Sequence, residues 1–343
     1  MKASSNQPAV RARPAAASFI LGGGFVLLLF SMALSASFGA ADIKLVTVWT
    51  AVFQYNPELT THQIIQELRL PRVVASALVG AAFAVAGALM QGMTRNPMAD
   101  SGLLGLNAGA GFVLALCLAL APSLSYNYTL LFCFIGAGIG AALVFGIGSF
   151  ARGGMTPVRL VLVGSAVSLL LHALSQGVAM YYRVGQDVAF WIAGGTANVR
   201  WFQIEMLLPW IIAAIAAAVL LSRSITLLSL GEEIATNLGQ RTRLVRIAAM
   251  AIVLVLAGAS VSVVGAVSFI GLIVPHVTRY LVGVDYRWII PCSAMIGGIL
   301  VVLADLASRM INPLNENVPI GAVIALVGVP FFLYIARHER RGL

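Results

Sequence analysis

The side chains able to do chemistry are few, and their spacing withholds most reactions. Four histidines, His62, His172, His276 and His338, fall on separate segments. None has a carboxylate at a spacing such as HExxH that would gather a metal. Three cysteines, Cys117, Cys133 and Cys292, sit singly inside apolar runs without a CxxC pair, and they read as small packing residues. A phosphate-cradling loop needs a lysine directly after glycine. The only lysines are Lys2 and Lys44, and neither follows glycine, so ATP hydrolysis through such a loop is excluded. Asp305 is the one acid well inside an apolar run, with Arg309 four residues on, at helix-pairing distance. A proton relay would use several such carboxylates. A structural ion pair and a relay both fit Asp305. One polar pattern recurs with a period. Ser165, Ser168, His172, Ser175 and Gln176 advance by steps of 3, 4, 3 and 1, which puts them on one helical face. In an apolar helix such a face either lines a watered path or hydrogen-bonds a neighbouring helix.

The elements that would carry these residues follow from composition. Of 343 residues, 60% are hydrophobic and 10% charged, with mean hydropathy +0.97. A soluble domain carries roughly 25% charged residues, so a water-facing globule, a disordered tail and a nucleic-acid module are excluded together. The net charge of +9 is spread singly between apolar runs, as in a protein oriented by a membrane. The expected fold class is all-α: a polytopic membrane protein of about ten transmembrane helices.

Apolar runs fall at about 17–38, 72–91, 102–121, 129–150, 158–180, 202–222, 244–263, 265–282, 288–309 and 318–336. The first is read as an uncleaved span rather than a secretory signal. As one straight helix, 244–281 would measure about 57 Å, nearly twice the roughly 30 Å hydrocarbon core. The chain is therefore expected to turn near Gly265. Charge tests that split. With ten spans and both termini cytoplasmic, 15 of 21 basic residues fall inside; with 244–282 as one crossing, the count becomes 11 against 10. Ten spans keep the asymmetry. The domain reading is a cytoplasmic tail at 1–16, a ten-helix transmembrane domain at 17–336 and a cytoplasmic tail at 337–343.

Glycine is abundant, at 34 residues. Gly136 with Gly140, and Gly102 with Gly105 and Gly109, are spaced to let helices approach closely. Between Leu230 and Gly239 lies a more polar segment, with Glu232 and Glu233 where a helix dipole favours acids. It is either a solvated loop or a surface helix offered to a soluble partner.

Longer motifs resemble a known family. Arg69-Leu70-Pro71-Arg72, Gly80, Gly87, Met90-Gln91 and Asn96-Pro97-Met98-Ala99 are similar to the opening signature of the FecCD permeases, subunits of iron-siderophore and cobalamin ABC importers. Gly231-Glu232-Glu233 with Leu238-Gly239 resembles the family's cytoplasmic coupling motif. The run Gly265-Ala266-Val267-Ser268-Phe269-Ile270-Gly271-Leu272-Ile273-Val274-Pro275-His276-Val277-Thr278-Arg279 is close to its most specific signature. Ala304-Asp305 with Arg309, Pro319-Ile320-Gly321 and Gly328-Val329-Pro330-Phe331-Phe332 continue the resemblance to the C-terminus.

The resemblance implies a permease in a bacterial cytoplasmic membrane, with no cofactor and no ATPase site of its own. Its partners would be a second permease, identical or paralogous, two cytoplasmic ATP-binding subunits and an external substrate-binding protein. No nucleic acid is implied. Glu232, Glu233 and Gly239 would couple to the ATPase. Arg69, Arg72 and Arg309 would receive acidic side chains of the binding protein. Met155 and Thr156 would form a cytoplasmic gate, and the face from Ser165 to Gln176 would line the path. Ferric siderophore is the expected substrate, from the appearance of residues 175–201, with haem or cobalamin as alternatives. An ion-coupled secondary transporter and a membrane enzyme are rivals, but intramembrane carboxylates are nearly missing apart from Asp305, and no convergent nucleophile or metal cluster is visible.

Overall fold

A computed structural model of the chain describes residues 13–39, 43–149, 157–311 and 318–339, and no strand occurs among them. The helices in chain order are α1 (Pro14–Ser37), α2 (Leu45–Phe53), α3 (Thr60–Ile64), α4 (Leu70–Thr94), α5 (Leu106–Leu120), α6 (Tyr126–Ser149), α7 (Pro157–Tyr181), α8 (Gly185–Ala193), α9 (Trp201–Leu230), α10 (Glu232–Asn237), α11 (Thr242–Val264), α12 (Ile270–Val282), α13 (Tyr286–Ile311) and α14 (Ile320–Glu339). Each of the ten apolar runs contains a helix. Among the described residues, seven helices are long and apolar enough to cross a membrane, while those at Leu106–Leu120, Ile270–Val282 and Ile320–Leu333 are shorter.

The expected break at Gly265 is present. α11 stops at Val264, and Gly265 takes a φ of +76°. A Cβ there would overlap the Trp191 carbonyl, so only glycine satisfies both the conformation and the space. Phe269, also left-handed at φ +70°, starts α12. One wide π-type turn, Ile65–Arg69, leads into α4. It falls where Pro71 removes a backbone donor and its ring crowds the preceding turn.

α4 is the central helix, buried along nearly its whole length against α9, α11, α12 and α13. Lipid provides no hydrophobic drive between helices, so packing and close approach hold them together. The glycines do this in facing pairs: Gly80 meets Gly297, Gly87 meets Gly271, and Gly109 and Gly140 meet Gly136 and Gly105 across α5 and α6. Gly102 stands apart, in a short 3-10 turn before α5. A Cβ at Gly87 would run into the Gly271 backbone, whereas one at Gly138 meets nothing within 4 Å. Gly87→Val is therefore expected to cost about 1–3 kcal/mol or more. It should lower the temperature at which the solubilised chain stays monodisperse, and Gly138→Val should leave that temperature nearly unchanged.

Hydrogen bonds sort the helix ends into two groups. At one end the termini of α1, α4, α9 and α13 meet: Arg69 donates to Ser37, Arg309 to Phe38, and Trp201 to the Gln66 carbonyl at 2.6 Å. At the other end the Arg13 amide donates to Val282 at 2.9 Å. There Arg279 also bonds Gln91, and the Tyr286 amide bonds Thr226. The first is called below the Asp305 end, and the second the α10 end.

Candidate functional site

The C-terminus of α1 leaves backbone carbonyls without helical partners, and its dipole is negative there. Two guanidinium groups answer it. Arg69 donates to the carbonyls of Ala36 and Ser37, both at 2.8 Å. Arg309 donates to Phe38 at 2.8 Å and to the Ser35 hydroxyl. Asp305, fully buried, joins this group to α4. It accepts from Arg72 Nε at 2.8 Å, from Arg309 at 2.9 Å and from the Thr196 hydroxyl at 3.1 Å. Asp305 therefore stands in a structural ion-pair network.

This placement gives the three arginines partners within the chain that the sequence alone did not show. Arg69, Arg72 and Arg309 are only 7%, 4% and 2% exposed, and each is engaged inside the chain. A guanidinium spent on α1 carbonyls and Asp305 does not present its charge at the surface. Arg72 alone reaches a recess, of about 90 Å³, shared with Phe190, Asn198 and Pro319. Thr196 and the 233-residue separation of Arg72 from Asp305 had no local signal in the sequence.

On α7 the polar stripe divides. Ser175 is buried and donates to the Gly111 carbonyl of α5 at 3.3 Å. Ser165, His172 and Gln176 are exposed, and Ser168 is half-buried. α7 packs mainly on α5 and α6, with smaller contacts to α8 and the 101–104 turn, and most of it is left exposed among the described residues. Ser175 thus follows the interhelical alternative, and the other four keep the face available to a path.

The polar segment after α9 is a helix, set between Gly231 at φ +141° and Gly239 at φ +80°. Ala235 is its buried anchor. Glu232 turns back to α11, bonding Arg246 at 2.8 Å and Thr242 at 3.4 Å. Glu233 points away and is exposed, as are Ile234 at 49% and Leu238 at 66%. The two adjacent acids therefore do different things. Nearby, the Arg287 side chain donates to Asp285 and holds its carboxyl below the ordinary carboxylate range, outweighing partial burial. Met155 and Thr156 lie outside the described residues.

A second recess, of about 390 Å³, opens at the Asp305 end and is lined by Tyr126, Asp187, Phe190, Trp191, Asn198 and Gln203. Sequence reasoning picked out 186–191 by likeness alone. The recess forms where α8 and the 194–198 loop meet the ends of α6, α9 and α11. Among the described residues, no group of three or more His, Cys, Asp or Glu side chains comes together.

The fold is that of a multi-pass helical membrane bundle, with α7 and α10 exposing polar and apolar side chains to whatever packs against the chain. The FecCD transport family matches residues 27–338, and the chain belongs to that family. It is 49% identical over 327 residues to the iron(3+)-hydroxamate import system permease protein FhuB of Bacillus subtilis (strain 168), covering 95% of this chain and 85% of that one. It is 37% identical over 321 residues to the ferric enterobactin transport system permease protein FepD of Escherichia coli (strain K12), covering 93% and 95%. A solved structure described as a metal-chelate type ABC transporter in an inward-facing conformation superposes with TM-score 0.82 at 26% identity, covering 94% of this chain and 99% of that one. The protein is thus a multi-pass permease subunit of an ABC importer in the bacterial cytoplasmic membrane.

Proposed function

We propose that this permease carries ferric siderophores, hydroxamate chelates foremost, from an external binding protein into the cytoplasm. The observation that carries the substrate is the 49% identity, over nearly the whole chain, to a permease named for iron(3+)-hydroxamate import. Relatives named for Fe(3+)-citrate, at 41%, and ferric enterobactin, at 37%, stay within ferric chelates.

In this reading the chain is one helical domain, 17–336, crossing ten times with both termini cytoplasmic. The sorting of helix ends into two groups supports it. A second permease covers the open side of α7, and Ser165, Ser168, His172 and Gln176 face the path between the two. Neutral polar groups suit that task, because a path must hold its cargo weakly enough to release it. Met155 and Thr156 close the path at its cytoplasmic mouth. Glu233 and Gly239 belong to the surface met by the two ATP-binding subunits, and Glu232 braces that surface from behind. Arg69, Arg72 and Arg309 belong to the external end on which the binding protein docks, and Asp305 and the α1 terminus are their partners in the lone chain.

Uptake of radiolabelled ferric hydroxamate, haem and cobalamin, in cells with and without the gene, tests the substrate. ATP-dependent loss of ferric hydroxamate uptake alone is the expected result. Loss of haem or cobalamin uptake with ferric chelates unaffected would overturn the substrate class.

A further inference from the structure

We propose that α2 is a membrane-surface anchor, with its Val46–Trp49–Phe53 edge seated in the lipid boundary at the Asp305 end. The inference rests on the chain being a membrane protein and not on its substrate. Leu45 to Phe53 contains no charged residue, yet nine residues rise only about 13 Å and cannot cross a bilayer. The helix is two-sided. Val48 and Ala51 are buried with Ala36 and Ile65, while Val46, Trp49 and Phe53 are 73%, 66% and 64% exposed. The exposed three lie at i, i+3 and i+7, on one face.

The chain itself fixes which side points out. Gln66 donates to the Ala51 carbonyl at 2.8 Å. His62, buried, accepts the Asn56 amide at Nδ1 at 3.1 Å, which leaves Nε2 facing the Thr50 hydroxyl at 3.4 Å. With its polar side clasped in this way, α2 has no freedom to roll its apolar edge inward. Trp49 and Phe53 also pack on each other, with ring centroids 4.3 Å apart.

Position selects the occupant. The Ile43 amide donates to the Ser37 carbonyl at 3.0 Å, so α2 begins where α1 ends. The flank of α1 is itself lipid-facing, with Phe25, Leu29 and Phe30 exposed. Tyr126, Tyr128 and Trp201 are exposed at the starts of α6 and α9, and the Trp201–Gln66 bond places Trp201 at the Asp305 end. Aromatic side chains collect at the level where chain meets head group. Lys44, exposed at the start of α2, is placed to meet an anionic phosphate. Exposed Lys44 and Gln54 sit at the two ends of the helix and not along the Val46–Trp49–Phe53 edge, so the edge itself offers no polar group to a soluble partner.

The test places an environment-sensitive fluorophore at Val46→Cys, with Cys117, Cys133 and Cys292 changed to alanine. The full importer is reconstituted in vesicles of phosphatidylcholine and phosphatidylglycerol. Expected are a blue-shifted emission and quenching by lipids brominated near the head-group end of their chains. Adding Trp49→Ser and Phe53→Ser should return the probe to water. Water-like emission quenched by aqueous iodide would overturn the proposal. So would a blue shift that appears only when the binding protein is added. If the cysteine-free chain does not assemble, quenching of the native chain by brominated lipid, compared with Trp49→Phe, gives the same reading. A smaller fractional loss in Trp49→Phe supports the anchor, and an equal loss overturns it.

Discussion

Asp305→Ala should be the most damaging single substitution at the Asp305 end. It leaves Arg72 and Arg309 buried without the carboxylate that both now share. Removing one partner from a buried charge group typically costs about 3–5 kcal/mol, because the remaining charge has neither water nor counter-ion. The purified chain should aggregate at a lower temperature than wild type, and membrane yield should fall. Arg309→Met should cost less, since Asp305 keeps Arg72 and Thr196. Equal thermal stability of Asp305→Ala and wild type, measured in the same detergent, would show that the cluster is solvated and not a buried support. The same comparison bears on docking. If these arginines were surface contacts, Asp305→Ala would free them and strengthen binding-protein affinity.

The second large effect is expected at α10. Ile234→Asp combined with Leu238→Asp puts two charges where exposed apolar side chains now stand. Because neither residue is buried in the chain, folding should survive. An interface that centres on these positions loses at least about 2 kcal/mol, which is roughly thirtyfold in affinity. Co-purification of the ATP-binding subunits and ATP-dependent uptake should both fall by about that factor, with thermal stability of the permease unchanged. Glu233→Lys should weaken the same association more modestly. Glu232→Ala should act differently, through loss of its half-exposed pair with Arg246, at no more than about 1 kcal/mol. If Glu232→Ala and Glu233→Lys proved indistinguishable in ATPase binding and in stability, the division of labour between the two acids would be wrong.

Much of the path from residues to fold was legible beforehand because a membrane makes local composition decisive. A run such as 202–222 has no alternative to helix in hydrocarbon, where each backbone group must be satisfied within its own segment. The turn at Gly265 was legible from length alone, since the helix it interrupts would overreach the bilayer. The short helix between Gly231 and Gly239 was half legible, because glycines mark ends without saying what lies between them. The α7 stripe was legible as a face, but its period could not separate Ser175, which bonds α5, from Gln176 beside it.

What the sequence by itself determined is the helical membrane architecture, where its apolar helices fall, the absence of a lysine-bearing phosphate loop and the family. All of these depend on near neighbours or on summed composition. The tertiary structure decided where charge goes. Arg72 and Asp305 are 233 positions apart, and Glu232 and Arg246 are 14 apart across a turn. No helical period joins either pair. The cost of an unpaired buried charge makes such partners obligatory in the fold, while nothing in a linear pattern says which carbonyl or carboxylate will be near. The sequence places these arginines at helix ends, and only the fold shows which helix terminus and which carboxylate each one meets.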